Sequence, residues 1–114
     1  MSYSEEKVEQ IIDEAQVLIS NGFTKNRYAA SKSRHSVAVK SEAACKFCTL
    51  GAIERAQYNV GAGAGDRSEA ARRVQQVLTG SPYRSIIVAN DAPSTKAEHI
   101  FDVLTLTKLG AWKA

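Results

Sequence analysis

The sequence predicts a mainly α fold. One compact domain over residues 1–114 is built as a bundle of about four helices around a buried central helix. Three observations carry that expectation. Apolar residues recur at helical spacing in three segments, each bounded by residues that start or stop a helix. A fourth segment is apolar on two faces, so it must be covered on both. Only one short run favours a strand and no second convincing strand exists to pair with it, which leaves at most a minor strand element.

The first helix is expected from Ser4 to Ser20, where Val8, Ile11, Ile12, Ala15, Leu18 and Ile19 share one face. Glu5, Glu6 and Glu9 crowd its first turns, where the helix dipole favours acids. Asn21 and Gly22 follow, two residues that tolerate the left-handed conformation and so make a good stop.

The central helix is expected over Ser41–Gln57. Cys45, Cys48, Ala52 and Ala56 make a stripe of small residues flanked by Gly51, while Phe47, Leu50 and Ile53 make a bulkier stripe opposite. The small face lets a neighbouring helix approach closely, and the large face fills the thicker part of the core. A flexible, glycine-rich turn over residues 60–65 comes next. Asp66-Arg67-Ser68-Glu69 reads as a capping box for a helix with Ala70, Ala71, Val74, Val77 and Leu78 inward, ended by Gly80, Ser81 and Pro82.

Periodicity cannot assign the apolar run Ser85–Ala89, and a short buried helical turn is favoured over a lone strand. Asn90-Asp91-Ala92-Pro93 breaks the chain, because the residue before proline avoids helical geometry. Thr95-Lys96-Ala97-Glu98 reads as a second capping box. The last helix should turn Ala97, Ile100, Phe101, Val103, Leu104 and Thr107 inward and end at Gly110, with Trp112 folding back as a lid on the core.

No apolar run approaches the roughly 20 residues that span a bilayer. The acidic amino terminus lacks the basic start and apolar stretch of a secretory signal, so a cytoplasmic location is expected. Two cysteines three residues apart on one helix stand too far apart for a disulfide, and two buried free thiols are expected. The net charge of +3 is unevenly spread. Residues 1–23 carry five acids against Lys7, whereas residues 24–46 carry six cations against Glu42. Those cations fall mainly in a basic loop, residues 23–40, that shows no lasting period. Loops of such length are usually functional or mobile.

Gly22-Phe23-Thr24-Lys25, then Phe47-Cys48-Thr49-Leu50-Gly51-Ala52-Ile53, then Asn90-Asp91-Ala92-Pro93 before a closing helix make an ordered set of motifs. Together they resemble the uncharacterised domain-of-unknown-function family 6197 of small bacterial and phage proteins, over roughly residues 15–109. Phe23 and Ala89 stand where that family usually has tryptophan. The resemblance implies a fold and points to Cys48, Gly51, Asn90 and Asp91, but it implies no activity.

Each chemical motif has a plain structural alternative. Cys45 and Cys48 read first as small packing residues; a redox pair or a zinc site completed by His35 and His99 ranks behind, since the spacing matches no finger. Asn90 and Asp91 suit a turn and helix start as well as a polar site. The glycine-rich turn lacks the Lys-Ser or Lys-Thr of a phosphate loop, and Asp66 with Glu69 would repel an anion there. Lys25, Arg27, Tyr28, Lys32, Arg34, His35 and Lys40 form the best candidate surface, cations interspersed with rings that stack. No nucleophile, base and orienting group can be assembled from spacing. The expectation is therefore a non-enzymatic binding protein, a phage or bacterial accessory factor, that contacts a protein or anionic partner through the basic loop and the Asn90-Asp91 corner. No cofactor or metal is expected. Nucleic-acid binding and a small enzyme using His, Asp or Cys chemistry are the alternatives.

Overall fold

The computed structural model describes residues 2–81 and 84–113. Helix α1 (Glu5–Asn21) forms as the periodicity requires, burying Val8, Ile11, Ile12, Ala15 and Ile19. Its stop has a different cause from the one expected. Gly22 is extended, with φ 176°, so no left-handed turn ends the helix. The glycine is needed for space, since a Cβ there would stand 2.4 Å from the Cys45 carbonyl oxygen.

That carbonyl immediately precedes the minor strand element. Strand β1 (Ala29–Ala30) pairs antiparallel with β2 (Lys46–Phe47), and isolated bridges tie Phe23 to Phe47 and Ala30 to Ser36. The basic loop is thus folded back on itself, with Ala29 and Ala30 buried.

Strand pairing also moves the start of the central helix. Helix α2 runs over Thr49–Val60, not from Ser41. The backbone of the preceding segment is committed elsewhere: Cys45 N–H donates to Ala30 O and Phe47 N–H to Gly22 O, both at 3.0 Å. Two corrections follow. Cys45 is exposed, not part of an interior stripe, and Cys48 is the buried residue that caps α2. Both remain free thiols. The rest of the small stripe holds, since Ala52 and Ala56 are fully buried and α2 packs against α1.

Helix α3 (Ala64–Thr79) starts within the glycine-rich turn, capped by Gly63 instead of Asp66. Asp66 falls one turn inside, where its carboxylate accepts Gly63 N–H at 2.8 Å and Ser4 N–H at 2.7 Å. Ala70 and Val74 are buried, while Ala71, Val77 and Leu78 are partly buried against the core. Gly80, left-handed at φ 71°, ends the helix. Pro82, expected to help end it, lies outside the described residues.

The ambiguous apolar run is helical, as favoured. Helix α4 (Ile86–Asp91) buries only Ile86 and Asn90, however, and leaves Ile87 and Val88 exposed. Helix α5 (Ala97–Lys108) buries Ile100, Val103, Leu104 and Thr107. Phe101 does not join them; it lines a surface groove beside Ile19 and Ser20. The second capping box does not form either, because the Thr95 hydroxyl donates to Ala89 O at 2.7 Å and leaves Lys96 at the cap. A 3-10 turn, Ala111–Lys113, brings the Trp112 ring within 4.1 Å of the Arg73 guanidinium. The lid therefore covers an arginine rather than the apolar core.

The whole is a mainly α single domain. Helix α1 packs against α2, α3 and α5, and α2 also meets α3 and α4. Among the described residues, no helix is long and apolar enough to cross a membrane.

Candidate binding surface

Residues from three distant parts of the chain meet at the start of α2. Cys48 N–H donates to Tyr28 O at 3.2 Å, which sets the basic loop on top of the helix. One turn later Gly51 passes under the same carbonyl, where any side chain would collide with it. From α4, Asn90 completes the joint. Its Oδ1 accepts Thr49 N–H at 2.9 Å and the Thr49 hydroxyl at 2.6 Å, and its Nδ2 donates to Thr24 O at 3.3 Å. At 1 % exposure Asn90 is a staple inside the fold with no face left for a ligand.

Asp91 differs from its neighbour. It is half-buried, and its Oδ1 accepts Asn26 N–H at 3.0 Å while Lys25 Nζ donates to Ala92 O at 2.6 Å. Asn26 adopts a left-handed φ of 65° to aim that amide. These bonds draw the loop against α4 beside an open pocket of about 290 Å³, lined by Asn26, Arg27, Tyr28, Cys48, Ile87 and Asp91. The two surfaces expected from sequence, the basic loop and the Asn90-Asp91 corner, are thus one surface, with Asp91 outward and Asn90 beneath.

Two further clefts adjoin this pocket. Arg27 also lines a cleft of about 300 Å³ with Phe23, Thr24, Ala30, Arg34 and Lys46. Tyr28 also lines one of about 380 Å³ between α2 and α3, where Leu50, Ile53 and Ala71 form the apolar wall and Glu54 and Arg67 the rim. Lys32 and His35 line none of the three. They are exposed at the loop tip, where His35 Nδ1 lies 3.2 Å from Ser33 Oγ. His99 is exposed on α5. Lys46, Thr24 and Ile87 were not singled out from sequence. Lys46 was visible only as one of the six cations of its segment, and nothing in a short apolar run distinguishes the exposed Ile87 from the buried Ile86.

The electrostatics of the surface follow from where the carboxylates are. Among the described residues, the ion pairs join Arg73 to Glu5 and Glu69, Arg72 to Glu69, Arg67 to Glu54 and Lys108 to Asp13. None involves a cation of residues 24–46. Arg27 instead donates to the Arg34 carbonyl, and Lys40 lies 5.4 Å over the Tyr58 ring. Burial raises the pKa of the Cys48 thiol, against the opposing pull of the Gly51 N–H, and nearby Asp91 raises it further. That thiol stays protonated and is a poor nucleophile. Among the described residues, no group of three or more His, Cys, Asp or Glu side chains is placed to hold a metal ion.

Fold and site together define a small α-helical domain with a cationic loop pinned across the start of an internal helix. The chain belongs to a family of unknown function (DUF6197), whose model matches residues 4–108. No curated protein and no solved structure matches it. The four residues that the motifs single out, Cys48, Gly51, Asn90 and Asp91, all lie at or beside the joint between loop, α2 and α4.

Proposed function

We propose that this chain is a non-enzymatic binding protein, an accessory factor that takes an anionic partner on its basic loop and the adjoining corner of α4. One observation carries the reading: Arg27, Arg34 and Lys46 line one solvent cleft that holds no carboxylate and none of them is in an ion pair, whereas Arg67, Arg72, Arg73 and Lys108 are each paired with a carboxylate. Surface cations left unneutralised beside a concave wall attract and orient an anionic partner. The exposed Tyr28, Ile87 and Val88 add apolar contact area at the same corner.

The test is a pull-down with the wild-type chain and with a variant carrying Arg27→Ala, Lys32→Ala and Arg34→Ala. Partners held by the wild type are expected to be lost from the variant while its helical circular dichroism is unchanged. Capture at full strength by the variant overturns the reading.

A further inference from the structure

We propose that the partner of this surface is single-stranded nucleic acid, with phosphates against Arg27, Arg34 and Lys46 and a base against Tyr28. The inference rests on the binding reading above and names its ligand.

The three clefts form a path rather than three sites. Arg27 is common to the first and second, and Tyr28 to the second and third. A path that turns past two side chains in succession suits a linear polymer better than a compact ligand. Its first cleft is the place for phosphates. Three cations line it beside Thr24, and no carboxylate does. One of the cations, Arg27, is held in place by the loop itself. The guanidinium of Arg27 donates to Arg34 O, while Arg34 N–H donates to Ser31 O at 2.9 Å. Arg34 occupies a left-handed φ of 68° in that turn. Charge fixed before binding adds affinity without a cost in ordering.

Further along, Tyr28 is 52 % exposed and stands between the second and third clefts. An exposed ring beside a cationic groove is a stacking platform for unpaired bases. A duplex keeps its bases stacked inside, so it offers that ring nothing. The acids on the path are engaged already. Asp91 Oδ1 accepts from Asn26 and Asn90, and Glu54 lies 3.9 Å from Arg67. They set the polarity of the path, with phosphates favoured at the end that holds no acid.

The experiment is fluorescence anisotropy with labelled oligothymidylate and oligouridylate of about 12 nucleotides, within the usual site size for such grooves. The two probes separate DNA from RNA as the source. Three phosphate contacts predict an affinity that falls about twentyfold between 50 and 200 mM salt. Arg34→Gly removes one cation at a backbone position glycine adopts freely, so it should fold and lower the log–log salt slope by about 0.7. Arg34→Lys should restore the slope. Tyr28→Leu should weaken binding by about fivefold or more with the salt slope unchanged. Equal affinity for a duplex of the same length, or no effect of Tyr28→Leu, overturns the single-stranded assignment. Competition by polyglutamate as strong as by oligonucleotide also overturns it, yet leaves the loop standing as the site for an acidic protein. If neither polyanion binds at 50 mM salt, the nucleic-acid assignment and the anionic-partner reading fall together.

Discussion

Gly51 of α2 lies directly beneath the backbone of Tyr28: a Cβ on Gly51 would fall 1.9 Å from the Tyr28 carbonyl oxygen. The collision would be with main chain, which cannot rotate away, so the loop and helix touch only because this residue has no side chain. Gly51→Ala should therefore lift the loop off α2 and break the Cys48 N–H to Tyr28 O bond. Overpacking of this kind costs about 1–3 kcal/mol. Urea unfolding measures it, and an unchanged midpoint would show that the loop is not clamped here.

Asn90 and Asp91 should separate cleanly. Asn90→Ala leaves the buried Thr49 amide and hydroxyl without their acceptor, at about 1–3 kcal/mol for each orphaned group. Asp91→Asn keeps an oxygen for Asn26 N–H at the partly exposed corner and should change stability by under about 1 kcal/mol. Thermal melting of both variants distinguishes the staple from the surface residue; a milder effect at Asn90 than at Asp91 would reverse the assignment.

Acid should loosen the end of the molecule opposite in chemistry to the loop. Hydrogen bonds from Arg73 hold Glu5 below its ordinary value of 4.5, and those from Arg72 and then Arg73 do the same for Glu69. The Ser4 and Gly63 amides hold Asp66 below 3.8. Folded-state values lowered in this way give stability that is complete above the ordinary carboxylate values and lost as pH falls through the lowered ones. Stability should thus stay level from neutral pH to about 4.5 and decline below it. Trp112, the chain's only tryptophan, stacks on Arg73 and should report the release by its fluorescence. Glu69→Gln removes one titrating group and should make the decline shallower; an acid profile identical to wild type would count against the cluster.

Thiol chemistry gives the fourth prediction. Cys45 is exposed, whereas Cys48 is buried with its pKa raised and its sulfur accepting Gly51 N–H at 3.3 Å. One thiol per native chain should react rapidly with Ellman's reagent, and both after denaturation. Mass spectrometry of the labelled peptide should find Cys45 modified. Rapid labelling of both sulfurs in the native state would mean that the start of α2 is open.

The helices were legible where a single face decides them. Along α1 the apolar spacing alone marks every residue that reaches the core except Gln16, a polar residue buried by its bonds to Phe101 O and Thr105 on α5. Helix starts were less legible, because side chains that look like caps were used elsewhere. Asp66 satisfies Ser4 as well as Gly63, and Thr95 bonds Ala89 across the corner. Of the candidate surface, the cations were visible as a charge imbalance, but their grouping into clefts was not. Arg27 and Arg34 share a cleft with Lys46 because β1 and β2 pair, and two-residue strands leave no periodic trace.

Local preference and amphipathic spacing are properties of neighbouring residues, so the chain's order alone determined a helical bundle, its glycine punctuation and a basic middle segment. Which end of the Ser41–Gln57 stretch is helix was decided by hydrogen bonds to residues 22 and 30, far away in sequence. The same contacts turned Cys45 outward, while bonds to Thr49 and Thr24 sank Asn90 and left Asp91 at the rim. Only tertiary structure can settle such outcomes, because a backbone amide takes whichever acceptor the fold brings within reach.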